Sequence, residues 1–176
     1  MGSLLVTGFG PFGEHSENPS ALLVKSLRDY DTRVIRVSYG AAERFVKRGI
    51  PNGVDRLLML GVGRECDRFR VERKARNFVG DTPDVAGDAR GPGRIDPNSP
   101  PFLWSTMFAG WVHPTPSWRP SAKAGSYLCN YLYFLALRRR PDILSGFVHV
   151  PPLAVMPIER QQALLERILW RVERES

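Results

Sequence analysis

The order of apolar runs and helical patterns predicts an α/β fold, a three-layer α/β/α sandwich with a central, mostly parallel twisted sheet. Three observations predict it. Apolar runs of strand length recur at Ser3 to Thr7, Val34 to Val37, Arg56 to Leu60 and Gly146 to Val150. Segments with helical spacing lie between and after them, so strands and helices alternate along the chain. Three of the four runs stop at Gly or Pro, which punctuate a buried strand as it passes into a loop.

The elements follow in order. After the first run, GFGPFGEHSE is too rich in Gly and Pro to be regular and reads as a loop. Asn18-Pro19 is an N-cap followed by Pro at the first helical position, and Leu23, Val24 and Leu27 carry helical spacing to about Asp29. Val34 to Val37 is a second strand, Ala41 to Arg48 a short helix closed by Gly49, and Arg56 to Leu60 a third strand. The stretch FRVERKARN, beginning at Phe69, alternates and predicts an edge strand or an extended arm. From Gly80 to Pro101, Gly, Pro and Asp recur throughout; connections longer than ~12 to 15 residues are usually functional or mobile, and this one is a candidate lid. Ser126 is placed to cap a helix from Tyr127 to about Arg139, with Arg138 to Arg140 at the negative end of its dipole and Pro141 stopping it. A closing amphipathic helix runs from Ile158 to about Glu173, with Leu165, Ile168, Leu169 and Val172 on one stripe.

Composition narrows the class of protein. A chain of 176 residues, 43% hydrophobic and 24% charged, suits one compact domain spanning residues 1–176. Its 25 basic and 18 acidic residues give a formal charge of +7, which favours anions without naming a partner. Two cysteines, Cys66 and Cys129, are too few for a disulfide framework. The opening MGSLLVTGFGPFG has neither a basic segment nor a long apolar one, so no signal peptide is expected. No apolar run reaches the ~18 to 20 residues of a membrane helix, so a reduced cytoplasmic setting away from membranes is expected. The three histidines and two cysteines lack metal-ligand spacing, so a zinc site is not expected.

The chemistry-bearing residues are Cys129, His149 and Glu72. With Ser126 as cap, Cys129 falls in the first helical turn, where orphan amides and the dipole lower a thiol's pKa. The small residues Ala124, Gly125 and Ser126 before it leave room for a substrate to approach a nucleophile. Against this stands the general tendency of free cysteine to be buried and inert. His149 ends an apolar strand, where open α/β sheets place their sites, although His15 and His113 in loops are also candidates. Glu72, in VERKARN, is an acid able to hold an imidazole in one tautomer, while a glutamate among arginines is ordinarily a solvated ion pair.

Taken together, several stretches resemble one family. LLVTGFGPFG followed by ENPS, VERKARN, TPDVAG, AGSYLCNYLY and GFVHVPPL are similar, in this order, to segments of the pyroglutamyl peptidase I (pyrrolidone-carboxylate peptidase) family. The resemblance implies a cysteine peptidase that removes N-terminal pyroglutamate from peptides without a cofactor. It implies Cys129 as nucleophile, His149 as general base and acid, and Glu72 as the residue orienting His149. It also implies a substrate pocket lined by Phe9, Phe12, Asn18, Val62 and Leu128, an N-terminally blocked peptide as partner, and assembly as a dimer or tetramer. The apolar segment from Phe102 to Trp111 is the expected contact surface for that assembly. Three departures accompany the likeness. Asp81 stands where the family carries an arginine, the turn after the third strand reads LGVGREC, and the chain is short before Arg56 and around Gly80 to Pro101. They leave open a diverged relative that acts on another N-blocked amide or is inactive.

Two other readings start from local patterns. Gly8-x-Gly10-x-x-Gly13 matches the dinucleotide fingerprint of an oxidoreductase, and Arg36 would meet a 2′-phosphate. Pro11 removes an amide from that loop, however, and the helix starts too late to cradle a pyrophosphate. The basic cluster Arg64, Arg68, Arg70, Arg73, Lys74 and Arg76 would serve nucleic acid, but such runs are usually solvated faces, and nucleic acid is not an expected partner.

Overall fold

A computed structural model describes residues 3–13 and 17–174. His15 therefore lies outside the described residues. In chain order the elements are β1 (Ser3–Phe9), α1 (Pro19–Ser26), β2 (Asp31–Ile35), α2 (Tyr39–Arg44) running into a π-helical turn (Phe45–Gly49), and β3 (Val54–Val62). They continue with β4 (Phe69–Glu72), β5 (Lys74–Arg76), β6 (Phe102–Trp104), β7 (Trp118–Ser121), α3 (Leu128–Arg139), β8 (Leu144–Val150) and α4 (Ile158–Arg174). The main sheet has the order β2-β1-β3-β8-β4-β7, and β5 and β6 form a separate antiparallel ribbon. Within the main sheet only the β4–β8 pairing is antiparallel.

Strand alternation divides the core into two layers. Leu4, Val6, Leu58, Leu60, Val71, Val148 and Val150 point to one face, where α1 and α4 cover them with Leu23, Val24, Leu165, Ile168, Leu169 and Val172. Leu5, Phe9, Leu57, Met59 and Phe147 point to the other, beneath α2 and α3. This is the predicted α/β/α layering. It arises because each strand of the sheet centre is apolar on both sides, a pattern that requires helices on both faces.

Several boundaries differ from the sequence reading. The second strand is β2, Asp31–Ile35, rather than Val34 to Val37: it is an outer strand paired only with β1, and its exposed residues break the apolar run. FRVERKARN divides in two: β4 is an interior strand between β8 and β7, not an edge, while β5 leaves the main sheet for the two-stranded ribbon. The edge is β7, whose Pro120 fits a position that donates to no outer neighbour. Ser126 is not the cap of α3; Tyr127 holds that position with no side-chain capping bond, and Cys129 is the second helical residue. In the segment from Phe102 to Trp111, Phe102 and Trp104 are exposed, while Phe108 and Trp111 are buried under α4 beside Trp118.

The connection between β5 and β6 is held by its own polar residues. The Asn77 side-chain amide donates to the carbonyls of Asp96 and Ser99, and its oxygen accepts from the Asp96 amide. Asp84 accepts from the amides of Tyr39, Ala86 and Asp88. Burial pushes the Asp84 carboxyl up, but those amides and the Ser38 hydroxyl outweigh it and hold the group below the usual carboxylate range.

Candidate active site

The antiparallel pairing of β4 with β8 sets Arg70 opposite His149 and Glu72 opposite Phe147. These four side chains share the sheet face under α3, and Glu72 lies diagonal to His149. His149 Nδ1 and Glu72 Oε1 are 2.8 Å apart. A carboxylate only accepts, so this contact puts the proton on Nδ1 and leaves Nε2 with its lone pair. Glu72 has no solvent exposure, and the Tyr133 hydroxyl donates to its backbone carbonyl at 2.9 Å. Arg70 Nε stands 3.6 Å from the same Oε1. The Phe147 ring packs against the imidazole with centroids 4.9 Å apart. The imidazole is thus fixed on two sides, by a charge and by a ring.

Cys129 approaches this group from the start of α3. The first intrahelical bond runs from the Tyr131 amide to the Tyr127 carbonyl, so the amides of Leu128, Cys129 and Asn130 precede the helical ladder. The thiol sits directly over Gly61 of β3: a Cβ there would lie 2.6 Å from Cys129 Sγ and 2.8 Å from the Phe147 ring. Any side chain at residue 61 would displace the sulfur. Asn130, fully buried, anchors the next position by accepting from the Arg76 amide and donating to the carbonyls of Arg76 and Phe78.

The sequence predicts a lowered thiol pKa at Cys129, and the structure reverses that expectation. Burial pushes the thiol up to about 12; Glu72 and Cys66 add to the effect, against a smaller pull from the helix-start amide and Arg70. The amide at the helix start does favour a thiolate, but enclosure and a nearby carboxylate outweigh it. The Cys129 thiol therefore rests protonated at neutral pH. Cys66 is buried as well, and burial first, then Glu72 and Asp67, pushes its thiol up to about 11 against the pull of Arg70 and Arg119.

Cys129 and His149 open onto a cavity of about 750 Å³ that Phe9, Phe12, Asn18, Val62 and Leu128 also line. The predicted pocket residues are therefore brought together, and Glu72 stands behind His149 outside the lining. Asn18 acts on the wall rather than on the space. Its Nδ2 donates to the Gly10 carbonyl, its Oδ1 accepts from the Ser20 amide and hydroxyl, and the Ser20 hydroxyl in turn accepts from the Phe9 amide. This fixes the aromatic loop against the N-cap of α1. Thr82 to Val85 form a further wall, tied to α3 where the Tyr127 hydroxyl donates to the Pro83 carbonyl. Asp81 is exposed and outside the lining, as is His113, so the charge reversal at residue 81 does not reach the cavity surface.

The family model described as "Pyroglutamyl peptidase" matches residues 2–167. The chain belongs to the pyroglutamyl peptidase family. A pyrrolidone-carboxylate peptidase of Lactobacillus helveticus is 31% identical over 169 residues, covering 85% of this chain and 84% of that protein. Among solved structures, the pyrrolidone carboxyl peptidase from Thermus thermophilus superposes with a TM-score of 0.76 at 30% identity, covering 94% of this chain and 98% of that one. A mutant pyrrolidone carboxyl peptidase from the hyperthermophile Pyrococcus furiosus gives 0.82 at 25% identity, covering 98% and 99%. The dinucleotide reading fails on geometry as well. Gly8 lies inside β1, where an added Cβ would meet the Ser20 carbonyl at 2.4 Å, and α1 begins only at Pro19. Among the described residues of this pyroglutamyl peptidase family member, no helix is long and apolar enough to cross a membrane.

Three residues of the site escaped the sequence reading. Gly61 reads there only as the end of a strand, and Asn130 as one more polar residue of a helix. Arg70 is counted with a basic cluster, although its position two residues before Glu72 on an alternating strand places both on one face.

Proposed function

We propose that this chain hydrolyses the amide bond following an N-terminal pyroglutamyl residue, with Cys129 as nucleophile, His149 as general base and acid, and Glu72 as the residue that orients His149. The observation that carries the reading is the 2.8 Å contact between His149 Nδ1 and a fully enclosed Glu72, at the wall of the cavity that also bears Cys129. The lactam ring is flat, neutral and compact. An aromatic slot formed by Phe9 and Phe12 suits it, and desolvation disfavours a charged amino terminus in the same place.

The chemistry follows from the resting protonation state. His149 Nε2 takes the Sγ proton as sulfur attacks the scissile carbonyl carbon, and Glu72 stabilises the imidazolium that forms. The ladder-free amides at the start of α3 are the donors available to the developing oxyanion. Collapse breaks the C–N bond; His149 gives its proton to the leaving amine, and a thioester to Cys129 remains. Water, deprotonated by His149, attacks the thioester, and the sulfur leaves and recovers the proton as pyroglutamate departs.

The test is release of fluorescent amine from pyroglutamyl-aminomethylcoumarin. Hydrolysis that falls by about 10⁴-fold or more in Cys129→Ala, with thermal unfolding unchanged, is the expected result. Absence of hydrolysis in the native chain overturns the reading. Alkylation of Cys129 in that case redirects attention to another N-blocked amide.

A further inference from the structure

A five-membered lactam fills only a small part of a 750 Å³ cavity, so much of its wall faces the residues beyond the scissile bond. That remaining wall is charged. Arg64, Arg70 and Lys123 line it on the basic side, and Glu65 and Asp84 on the acidic side. Two of the five are engaged by their own surroundings. Arg70 stands 3.6 Å from Glu72, and Asp84 accepts from three backbone amides. Arg64, Lys123 and Glu65 remain, and none makes an ion pair among the described residues. Asp84 keeps its charge but is buried, so of the solvent-exposed groups on this wall two are cations, Arg64 and Lys123, and one is a carboxylate, Glu65.

The reaction assigns a side to this charge. The amine expelled from the tetrahedral intermediate takes its proton from His149, so the residue after pyroglutamate lies on the His149 side of the scissile carbon. Gly63 is the neighbour of His149 on that side: a Cβ on it would lie 3.3 Å from His149 Cβ, and its amide donates to the Val150 carbonyl at 3.0 Å. Arg64 is the next residue. Its field also reaches across to Tyr127, the N-cap of the Cys129 helix: it pulls down a phenol that burial, Asp84 and Cys129 together push up. Arg64 therefore lines the cavity beside the residue that flanks His149, and Lys123 lines the same cavity six positions before Cys129.

We infer that this site prefers peptides whose second residue, directly after pyroglutamate, carries a carboxylate, and that Arg64 is the main determinant of that preference with Lys123 adding to it. The inference rests on the hydrolysis proposed above. One exposed cation near a carboxylate in largely aqueous surroundings gives a selectivity of about five- to tenfold.

The experiment is a competition between pyroglutamyl-glutamyl-glycinamide and pyroglutamyl-lysyl-glycinamide, followed by mass spectrometry, with pyroglutamyl-aminomethylcoumarin as an uncharged reference. The ratio of the two rates is internal to each sample, so partial loss of folded protein in a variant does not disturb it. The native ratio should favour the acidic peptide by about five- to tenfold, fall towards unity in Arg64→Ala, and invert in Arg64→Glu. Cleavage of the reference with a native ratio at or below unity overturns this inference and leaves the hydrolysis intact. A native ratio that persists in Arg64→Glu overturns the role of Arg64. No cleavage of the reference removes the reading beneath it, and this inference with it.

Discussion

The two faces of the central sheet are built from different materials. On the side of α1 and α4, the strands present Leu4, Val6, Leu58, Leu60, Val148 and Val150 to Leu165, Ile168, Leu169 and Val172. On the side of α3, the same strands present Gly61, Arg70, Glu72 and His149 beneath Cys129 and Asn130. Both faces bury an apolar layer, but only the α3 face also mounts the candidate site. Because side chains alternate along a strand, one β8 heptapeptide serves both, with Val148 and Val150 facing the apolar layer and His149 between them facing the chemistry. The contrast teaches that apolar packing is shared by both faces, while the residues of the candidate site are gathered on one of them.

Substitutions on the two faces should therefore fail in different ways. The largest effect is expected from Glu72→Gln, which keeps shape but removes the acceptor charge that fixes the His149 tautomer. The rate on pyroglutamyl-aminomethylcoumarin should fall by about 10³- to 10⁴-fold in steady-state kinetics on the folded protein. A loss under tenfold would mean that the imidazole is oriented by Phe147 alone.

Next comes the pH dependence of Cys129 alkylation by iodoacetamide, read on the native chain and corrected with Cys129→Ala. A thiol pushed up to about 12 is protonated at neutral pH, and its thiolate fraction grows tenfold per pH unit below that value. The rate should rise by about 10³-fold between pH 7 and pH 10. A plateau below pH 8 would reveal a preformed thiolate–imidazolium pair and overturn the resting state used in the mechanism.

Gly61→Ala should cost about 10²-fold in kcat, because the added carbon lies 2.6 Å from Cys129 Sγ and displaces the nucleophile. The same change should lower stability by roughly 1 to 3 kcal/mol through overpacking against Phe147. Leu165→Ala, on the opposite face, should reverse the profile. Unfolding in urea should show a loss of about 2 to 5 kcal/mol, with kcat of the still-folded protein changed least of all. If Leu165→Ala altered kcat as strongly as Gly61→Ala, the two faces would be mechanically one.

How much of this was legible in the sequence depended on whether the signal was local. The layered architecture, the Asn18 cap and the stripe of α4 follow from periodicity and capping chemistry, which act within a few residues. Cys129 and His149 were legible because their flanking segments resemble those of a known family, and Glu72 because VERKARN precedes them in the same order as in that family. The position of β4 was not legible, since an interior strand that carries Arg70 and is followed at once by Arg73 looks like an edge until its neighbours are known. β7 was hidden by Pro120, and the role of Gly61 by the absence of any side chain to read. The thiol pKa was misjudged for a related reason. The helix start is visible in sequence, whereas the enclosure that outweighs it is assembled from four separate elements.

The reversed direction of β4 has one more effect. Running against β8, it carries Glu72 away from the mouth of the site, so the carboxylate meets His149 with no exposure to solvent, while Arg64 stands at the exposed rim. Counterions reach the second of these and not the first. Ionic strength then becomes a dial that turns one half of the site alone: added salt should mute the attraction of charged peptides at the rim while leaving the proton relay at its usual strength. A single titration with sodium chloride thus distinguishes recognition from chemistry in the unmutated protein.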